Sequence, residues 1–510
     1  MCWRHPSEVA RDAPDRIAYV MAATGRMISY AKLDARSNRL AQFWRTGGLQ
    51  AGDVIALVVE NHEWVFPLVW SAQRSGLLFV SLSTSLAAGD LAYILRDCGA
   101  AFVVYSERTA ERVESAMREA PGTTGLRLEG TDGLIERIAA LPAHPVADET
   151  MGSDMLYSSG TTGRPKGIRR VIEPGAPIDT ATVLDTLVER RYGFTADTRY
   201  LCPAPLYHAA PLRWSMAVLR IGGLVVVMDR FDAEAALALI ERHRLNAAQW
   251  VPTHFVRMLK LPEETRATYD VSSLHIAIHA AAPCPVPVKQ AMIDWWGPIL
   301  SEYYSATEAN GFTAIDSAEW LERPGSVGRA LIGTIRICGE DGEELPPREA
   351  GDIYFENGQP FSYHNDPDKT AAATNARGWT TLGDVGWVDE AGYLYLTDRR
   401  NFMIISGGVN IYPQEIENLL ITHPAVRDAA VIGIPDAEMG ESVCAVVELM
   451  NGAEAGAELA ETLRSFAREK LGPIKAPRRV DFAESLPREP TGKLYKRLLR
   501  DQYRAEAQAG

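Results

Sequence analysis

The sequence predicts an α/β protein. It is expected to have a large N-terminal domain of mostly parallel sheets flanked by helices, a β-rich subdomain, and a small mobile α+β C-terminal domain. Three observations predict this. Strand-like and helix-like segments alternate as far as Thr150 and again through the middle third. After about Gly325 the texture becomes turn-linked β structure. A short polar stretch, Asp398-Arg399-Arg400-Asn401, then precedes a compact α+β pattern.

Each element has its own signal. Lys32 to Trp44 (KLDARSNRLAQFW) is amphipathic at helical spacing. Asp53 to Val59 and Leu77 to Leu82 read as buried strands, with a helix around Trp64 to Arg74 between them and a further strand at Ala101 to Tyr105. Such alternation marks helices covering a mostly parallel sheet. Leu224 to Met228 and Leu274 to Ile278 repeat the theme around a helix-like Ala233 to Arg244. No fixed-period repeat is visible, which argues against a solenoid. Thr334 to Cys338, Gly339-Glu340-Asp341-Gly342 and Gly351 to Glu356 read as strands joined by a turn, and Gly392 to Thr397 (GYLYLT) alternates like a hairpin strand. The last part predicts a strand at Phe402 to Ile405, a helix at Gln414 to Ile421, strands near Ala429 to Ile434 and Val443 to Leu449, and a helix from Leu459 to Lys470. The expected division is an N-terminal domain over 1–398, a hinge at 399–402 and a C-terminal domain over 403–510. The brevity of the polar stretch suits a hinge between rigid bodies better than a floppy tether.

Bulk properties bound the function. The chain has 510 residues, 46% apolar and 23% charged, ordinary for a globular protein. A net charge of −14 argues against nonspecific binding to nucleic acid or to an anionic membrane surface. The 6 cysteines are scattered without a CxxC pair, which suggests buried thiols in a reducing compartment and neither a zinc site nor a disulfide framework. The start, MCWRHPSEVARDAPDR, lacks the apolar core of a signal peptide, and no run of about 18 apolar residues appears, so no membrane span is expected. The expected location is the cytoplasm. Homodimerisation is left open.

The most informative stretch is Tyr157-Ser158-Ser159-Gly160-Thr161-Thr162-Gly163-Arg164-Pro165-Lys166-Gly167. Glycines let the backbone approach an anion with its N–H groups turned inward, hydroxyls add neutral donors and Lys166 adds a point charge. A flexible Ser/Thr/Gly surface turn is the plain alternative. The loop differs from a Walker A motif, because Pro165 precedes the lysine and Gly167 follows it, which suits a mobile loop better than a helix start.

Together with later stretches this loop makes the chain resemble the AMP-forming adenylate superfamily over nearly its whole length, and in particular the acyl- and aryl-CoA synthetase branch, fatty-acid–CoA ligases among them. The resemblance implies ATP, Mg²⁺ and CoA as cofactors and a small-molecule carboxylic acid as substrate. It implies that Ser158, Ser159, Gly160, Thr161, Thr162, Gly163 and Lys166 hold the ATP phosphates. Tyr303-Tyr304-Ser305-Ala306-Thr307-Glu308 is similar to the family's Tyr-Gly-x-Thr-Glu motif, in which Tyr304 binds the nucleotide, Thr307 bonds the α-phosphate and Glu308 holds the metal. Ser305 stands where the family usually has glycine, and its β-carbon is expected to narrow the adenine or acyl cavity. Gly378-Trp379-Thr380-Thr381-Leu382-Gly383-Asp384 resembles the stretch whose aspartate grips the ribose hydroxyls, and Arg399 resembles the arginine that reaches ribose or phosphate. Asn401 falls at the hinge, where relatives usually carry aspartate or lysine. Gly407 and Gly408 lie in a loop similar to the one that swings in for the second half-reaction beside the pantetheine arm. Leu486-Pro487-Arg488-Glu489-Pro490-Thr491-Gly492-Lys493 resembles the motif whose lysine enters the site for adenylation.

The remaining expectations concern the acid and the adenine. Pro205-Leu206-Tyr207-His208 resembles the segment whose histidine sits at the acyl pocket. His279-Ala280-Ala281-Ala282-Pro283 resembles the strip lining adenine on one side (Ala281, Ala282, Pro283) and acyl group on the other (His279, Ala280). With Trp250, His254 and Trp214 they sketch an apolar cavity, although core packing accounts for these three equally well. The expected catalytic residues are Lys493, Thr307, Glu308 and Lys166. The expected activity is an acid–CoA ligase for a fatty, aromatic or alicyclic acid. The alternatives are an adenylation enzyme serving a carrier protein, a luciferase-like oxygenase, and a non-catalytic nucleotide-binding protein on the same fold.

Overall fold

The computed structural model describes residues 3–158, 165–170, 172–399, 402–436, 438–488 and 494–509, with the side chains at 158, 398–399 and 506–509 excepted. The chain forms two compact units, Met1–Trp250 with Leu261–Ile278 and Pro360–Thr370, and Val251–Lys260 with His279–Gln359 and Ala371–Gly510.

The first unit holds two largely parallel sheets. In one, the strands run in the order Ser362–Tyr363, Lys166–Arg169, Ser153–Ser158, Leu78–Ser81, Val54–Val58, Ala100–Tyr105, Thr124–Arg127. Val54–Val58 and Leu78–Ser81 are buried at every position, because helices cover both faces of a parallel sheet, and this is why their sequences are apolar throughout apart from the terminal Ser81. Lys166–Arg169 runs against the other strands, and Ser362–Tyr363 pairs antiparallel to it at the edge of the sheet. The other sheet of this unit places Ala247–Trp250, Arg199–Cys202, Leu224–Val227, Ile17–Met21 and Arg26–Ser29 side by side. The helix Tyr30–Thr46 begins where the Ser29 hydroxyl accepts the Lys32 N–H at 3.3 Å, and it buries Leu33, Leu40, Ala41 and Trp44 on one stripe.

The second unit is antiparallel where turn-linked strands were expected. Thr334–Cys338, Gly351–Glu356, Thr380–Val388, Leu394–Arg399, Ser326–Ile332, Phe312–Asp316 and Leu300–Tyr304 follow one another across it. After residue 402 comes a smaller sheet of Val409–Ile411, Ile404–Ser406, Gly440–Leu449 and Val426–Asp436, with Arg479–Ala483 parallel to Gly440–Leu449. Its period-2 alternation sends Ala429, Val431, Val443, Ala445 and Val447 into a core with the helices Pro413–Leu420 and Ala457–Leu471. Ala430, Ile432, Cys444 and Val446 go to the opposite face, where Leu499 and Tyr503 of the helix Lys496–Ala509 cover them. Both faces are apolar, so both need a lid.

The α/β class, the β-rich region and the C-terminal α+β fold agree with the sequence expectation. The expected strands near Ala429 and Val443 are longer than read, at Val426–Asp436 and Gly440–Leu449. Among the described residues no helix is long and apolar enough to cross a membrane. The hinge residue Asn401 lies outside the described residues.

Candidate active site

In the first unit, the strands Ser153–Ser158 and Lys166–Arg169 bring the two ends of the Gly/Ser/Thr loop together, with Ser158 opposite Lys166 and Tyr157 opposite Gly167. Ser159, Gly160, Thr161, Thr162 and Gly163 lie outside the described residues, as does the side chain of Ser158. The root of the loop is fixed by named contacts. The Tyr157 hydroxyl donates to Asp97 Oδ2 at 2.5 Å, and burial, with that carboxylate beside it, pushes the phenol's pKa up. Gly167 is a glycine for lack of room, since a β-carbon there would sit 2.9 Å from the Tyr157 ring and 3.1 Å from His364 Cβ. The Lys166 ammonium lies 4.9 Å from the centroid of the Tyr363 ring, a cation–π distance.

His208 starts the helix Ala209–Arg220, with its ring 4.6 Å from that of Tyr207. Trp250 is buried edge-on against Phe231, and Trp214 is buried against Tyr192 and Phe194.

In the second unit, His254 is buried, and its Nδ1 accepts the Val251 N–H at 3.4 Å at the start of the helix Pro252–Leu259. Burial, with Arg257 nearby, pushes its pKa down to about 3, so the ring is neutral at physiological pH. The strip that follows changes character along its length: His279 and Ala280 are buried, whereas Ala281 and Ala282 are exposed. Ala281 has φ +79°, a conformation that disfavours any β-carbon. Such strain is typically held in place by the surrounding structure at functional sites.

Behind the strip lies a buried ionic cluster. Lys289 Nζ is 2.7 Å from Glu302 Oε2 and 4.9 Å from the Trp320 ring centroid, and His279 Nε2 is 3.7 Å from the same carboxylate oxygen. Burial raises the Glu302 pKa against the pull of Lys289, and burial, then Lys289, drives that of His279 well down. Removing one member would strand a buried charge. Lys289→Met is therefore expected to lower stability by about 3–5 kcal/mol, read as a urea midpoint shift, and Lys289→Met/Glu302→Leu to recover most of the loss. A double variant as unstable as the single would show that the pair does not act as a unit.

The strand Leu300–Tyr304 delivers the Tyr-Tyr-Ser-Ala-Thr-Glu motif. The Tyr304 hydroxyl donates to Asp384 Oδ2 at 2.7 Å, and its ring stacks on Phe355 at 6.3 Å. Arg399 is the register partner of Asp384 across the antiparallel strands Thr380–Val388 and Leu394–Arg399. The Ser305 hydroxyl donates to the Gly311 carbonyl at 2.7 Å. Thr307 and Glu308 are half-buried at the tip of the connection that follows. Gly407 and Gly408 form the turn between Ile404–Ser406 and Val409–Ile411, with φ +56° and +78°, left-handed values that glycine adopts without strain.

Lys493 lies outside the described residues, but both ends of its segment are held. Arg488 makes a paired contact with Asp428, its Nη2 donating to Oδ1 at 2.7 Å. Arg488 also bridges to Leu494, and the Tyr495 N–H donates to the Pro487 carbonyl at 2.8 Å. Lys496 is buried with its Nζ 2.9 Å from Glu417 Oε1.

Sequence reading did not single out Asp97, Lys289, Glu302, Tyr363 or Phe355. Lys289 did carry a signal: it shares the i, i+3, i+4, i+7 stripe with Met292, Ile293 and Trp296, so a lysine occupies the apolar face of its helix. Among the described residues no group of three or more His, Cys, Asp or Glu side chains could hold a metal. A single carboxylate such as Glu308 suits Mg²⁺ arriving with nucleotide phosphates, since that ion keeps phosphate and water ligands and needs only one or two protein carboxylates.

These sheets, with the glycine hairpin and the α+β C-terminal part, have the fold of adenylate-forming enzymes. The crystal structure of ATP-bound MatB from Rhodopseudomonas palustris matches with TM-score 0.81 and 29% identity, covering 98% of this chain and 99% of that one. The chain belongs to the AMP-binding enzyme family, matching the AMP-binding enzyme domain over residues 7–362 and the AMP-binding enzyme C-terminal domain over 415–493. Two curated relatives are the long-chain-fatty-acid–CoA ligase FadD13 of Mycobacterium tuberculosis and a feruloyl-CoA synthase of Amycolatopsis. The first is 33% identical over 97% of this chain and 96% of its own length. The second is 32% identical over 94% of each. The protein is thus an enzyme of the AMP-forming carboxylic acid–CoA ligase class.

Proposed function

We propose that the protein converts a hydrophobic carboxylic acid and ATP into an acyl-adenylate and pyrophosphate, and then passes the acyl group to the sulfur of CoA. The strongest structural support is Asp384, whose carboxylate is oriented by Tyr304 and whose register partner is Arg399. A carboxylate so placed accepts hydrogen bonds from the two ribose hydroxyls. The size and apolar character of the acid are supported by the names of the relatives, one for a long-chain fatty acid and one for a feruloyl group.

In the first step the acid's oxygen attacks the α-phosphorus, a P–O bond forms, and the bond to pyrophosphate breaks with its electron pair. Two anions must approach each other, so the work is positioning and charge stabilisation. The hydroxyls and N–H groups of 158–163 and the Lys166 ammonium hold the phosphates, Thr307 donates to the α-phosphate, and Lys493 bridges acid and phosphate. Glu308 would hold Mg²⁺, which supplies positive charge to the phosphate oxygens. Ala281, Ala282 and Pro283 serve the adenine; His208, Trp250, His254, His279 and Ala280 are assigned to the acid. In the second step the thiol attacks the acyl carbon and AMP leaves. The domains divide at 398, Asn401 is the pivot, and residues 403–510 turn to exchange Lys493 for the Gly407–Gly408 turn.

Pyrophosphate release that depends on an added carboxylic acid tests the activity, and a panel of fatty and aromatic acids scored by CoA thioester finds the substrate. An acyl-adenylate that forms but transfers only to a carrier protein would overturn the choice of acceptor. Gly408→Trp is expected to slow thioester formation by about 100-fold or more while adenylation is kept, since a bulky residue strains the left-handed backbone at this position and fills the thiol's approach. Undiminished transfer would remove that turn from the second step.

A further inference from the structure

The connection that carries Thr307 and Glu308 is an irregular loop between two paired strands. Tyr304 and Thr313 are the last register partners of Leu300–Tyr304 and Phe312–Asp316, so residues 305–311 form the connection, Phe312 already pairing with Ile332 on its other side. Its neck is gripped from several sides. Ser305 Oγ donates across it to the Gly311 carbonyl at 2.7 Å. Asn310 is buried and donates to Thr380 Oγ1 at 3.2 Å. Gly311 lies against Phe355 so closely that a β-carbon would come within 2.2 Å of the ring. At the tip the Ala309 N–H donates to the Ala306 carbonyl at 3.0 Å, with Ala309 at φ +55°.

Asn310 and Gly311 hold the C-terminal side of this loop. Just beyond the Tyr304–Thr313 pair, the Ser305 hydroxyl ties the N-terminal side to it. Glycine, usual in the family at this position, has no side chain to make that bond. We propose that Ser305 is a positioning residue that cinches the loop and so sets where Thr307 and Glu308 meet the α-phosphate and its metal. This rests on the roles proposed above for those two residues. It gives the Ser305 hydroxyl a role of its own, apart from the narrowing of the adenine or acyl cavity expected of the β-carbon.

The test compares the wild-type enzyme with Ser305→Ala, Ser305→Gly and Ser305→Thr. The readouts are MgATP affinity by titration calorimetry, the Mg²⁺ concentration giving half-maximal pyrophosphate release, and the KM for the acid. Ser305→Ala and Ser305→Gly are expected to weaken MgATP binding and raise the Mg²⁺ requirement by about 5-fold each, the worth of one neutral hydrogen bond, at unchanged KM for the acid. Ser305→Thr, which keeps the hydroxyl, is expected to behave as wild type. Wild-type MgATP affinity in Ser305→Ala overturns the proposal. So does an effect confined to the KM for the acid, which would return Ser305 to the acyl cavity. Glu308→Gln, run alongside, separates failure of the proposal from failure of its premise: undiminished MgATP affinity there removes Glu308 as the metal ligand, whatever Ser305 does.

Discussion

Lys493→Ala is expected to lower acyl-adenylate formation by about 100- to 1,000-fold, the cost of removing one preorganised charge from the reacting centre. Thioester formation from supplied acyl-adenylate is expected to stay within about 2-fold of wild type, because the second step starts from a mixed anhydride whose carboxylate charge is already gone. The asymmetry follows from electrostatics. In the first step an anion approaches a polyanion, and one ammonium between them lowers the repulsion just where it is largest. In the second a thiol attacks an acyl carbon, and the same ammonium has nothing to neutralise. Single-turnover measurements of each half-reaction check this. Equal loss in both halves would show that Lys493 serves both steps and that no exchange of Lys493 for the Gly407–Gly408 turn occurs.

Asp384→Asn is expected to reduce kcat/KM for ATP by about 100-fold, in line with the loss of charge-assisted hydrogen bonds at a desolvated site. Asp384 is 8% exposed, and Tyr304 already donates to one of its oxygens at 2.7 Å. The carboxylate has only acceptors, which suits a partner bearing two hydroxyl donors, whereas the amide of asparagine turns a donor toward one of them. ATP lacking a ribose hydroxyl gives the discriminating readout. The wild-type enzyme is expected to reject it, whereas Asp384→Asn treats it and ATP alike. A variant that still discriminates would move ribose recognition to other residues.

Much of this was legible in the sequence, for identifiable reasons. The buried strands of the first unit are short apolar runs because both their faces are covered, and such runs announce themselves. The helix Tyr30–Thr46 was legible from its apolar stripe and is capped by Ser29. The motif loops were legible through their resemblance to the motifs of the adenylate-forming family. What stayed hidden depends on partners distant in the chain. Asp97 and Tyr157 are 60 residues apart, as are Asp428 and Arg488, and no local pattern marks either pair. Ser305 was noticed, but as bulk in a cavity; its hydroxyl's actual acceptor, Gly311, depends on how the intervening loop closes. The helix Lys496–Ala509 was not read at all, since its charged sequence hides the two apolar contacts, Leu499 and Tyr503, that seat it.

The short stretch between Arg488 and Leu494 sets a limit on delivery. Arg488 and Leu494 are bridged to one another and Arg488 is held by Asp428, so both flanks of the segment belong to the same small fold. On the role proposed for Lys493, the whole C-terminal fold must travel with its amine, so a covalent tether fixing that fold to the rest of the protein is expected to silence the enzyme without touching a single reacting atom.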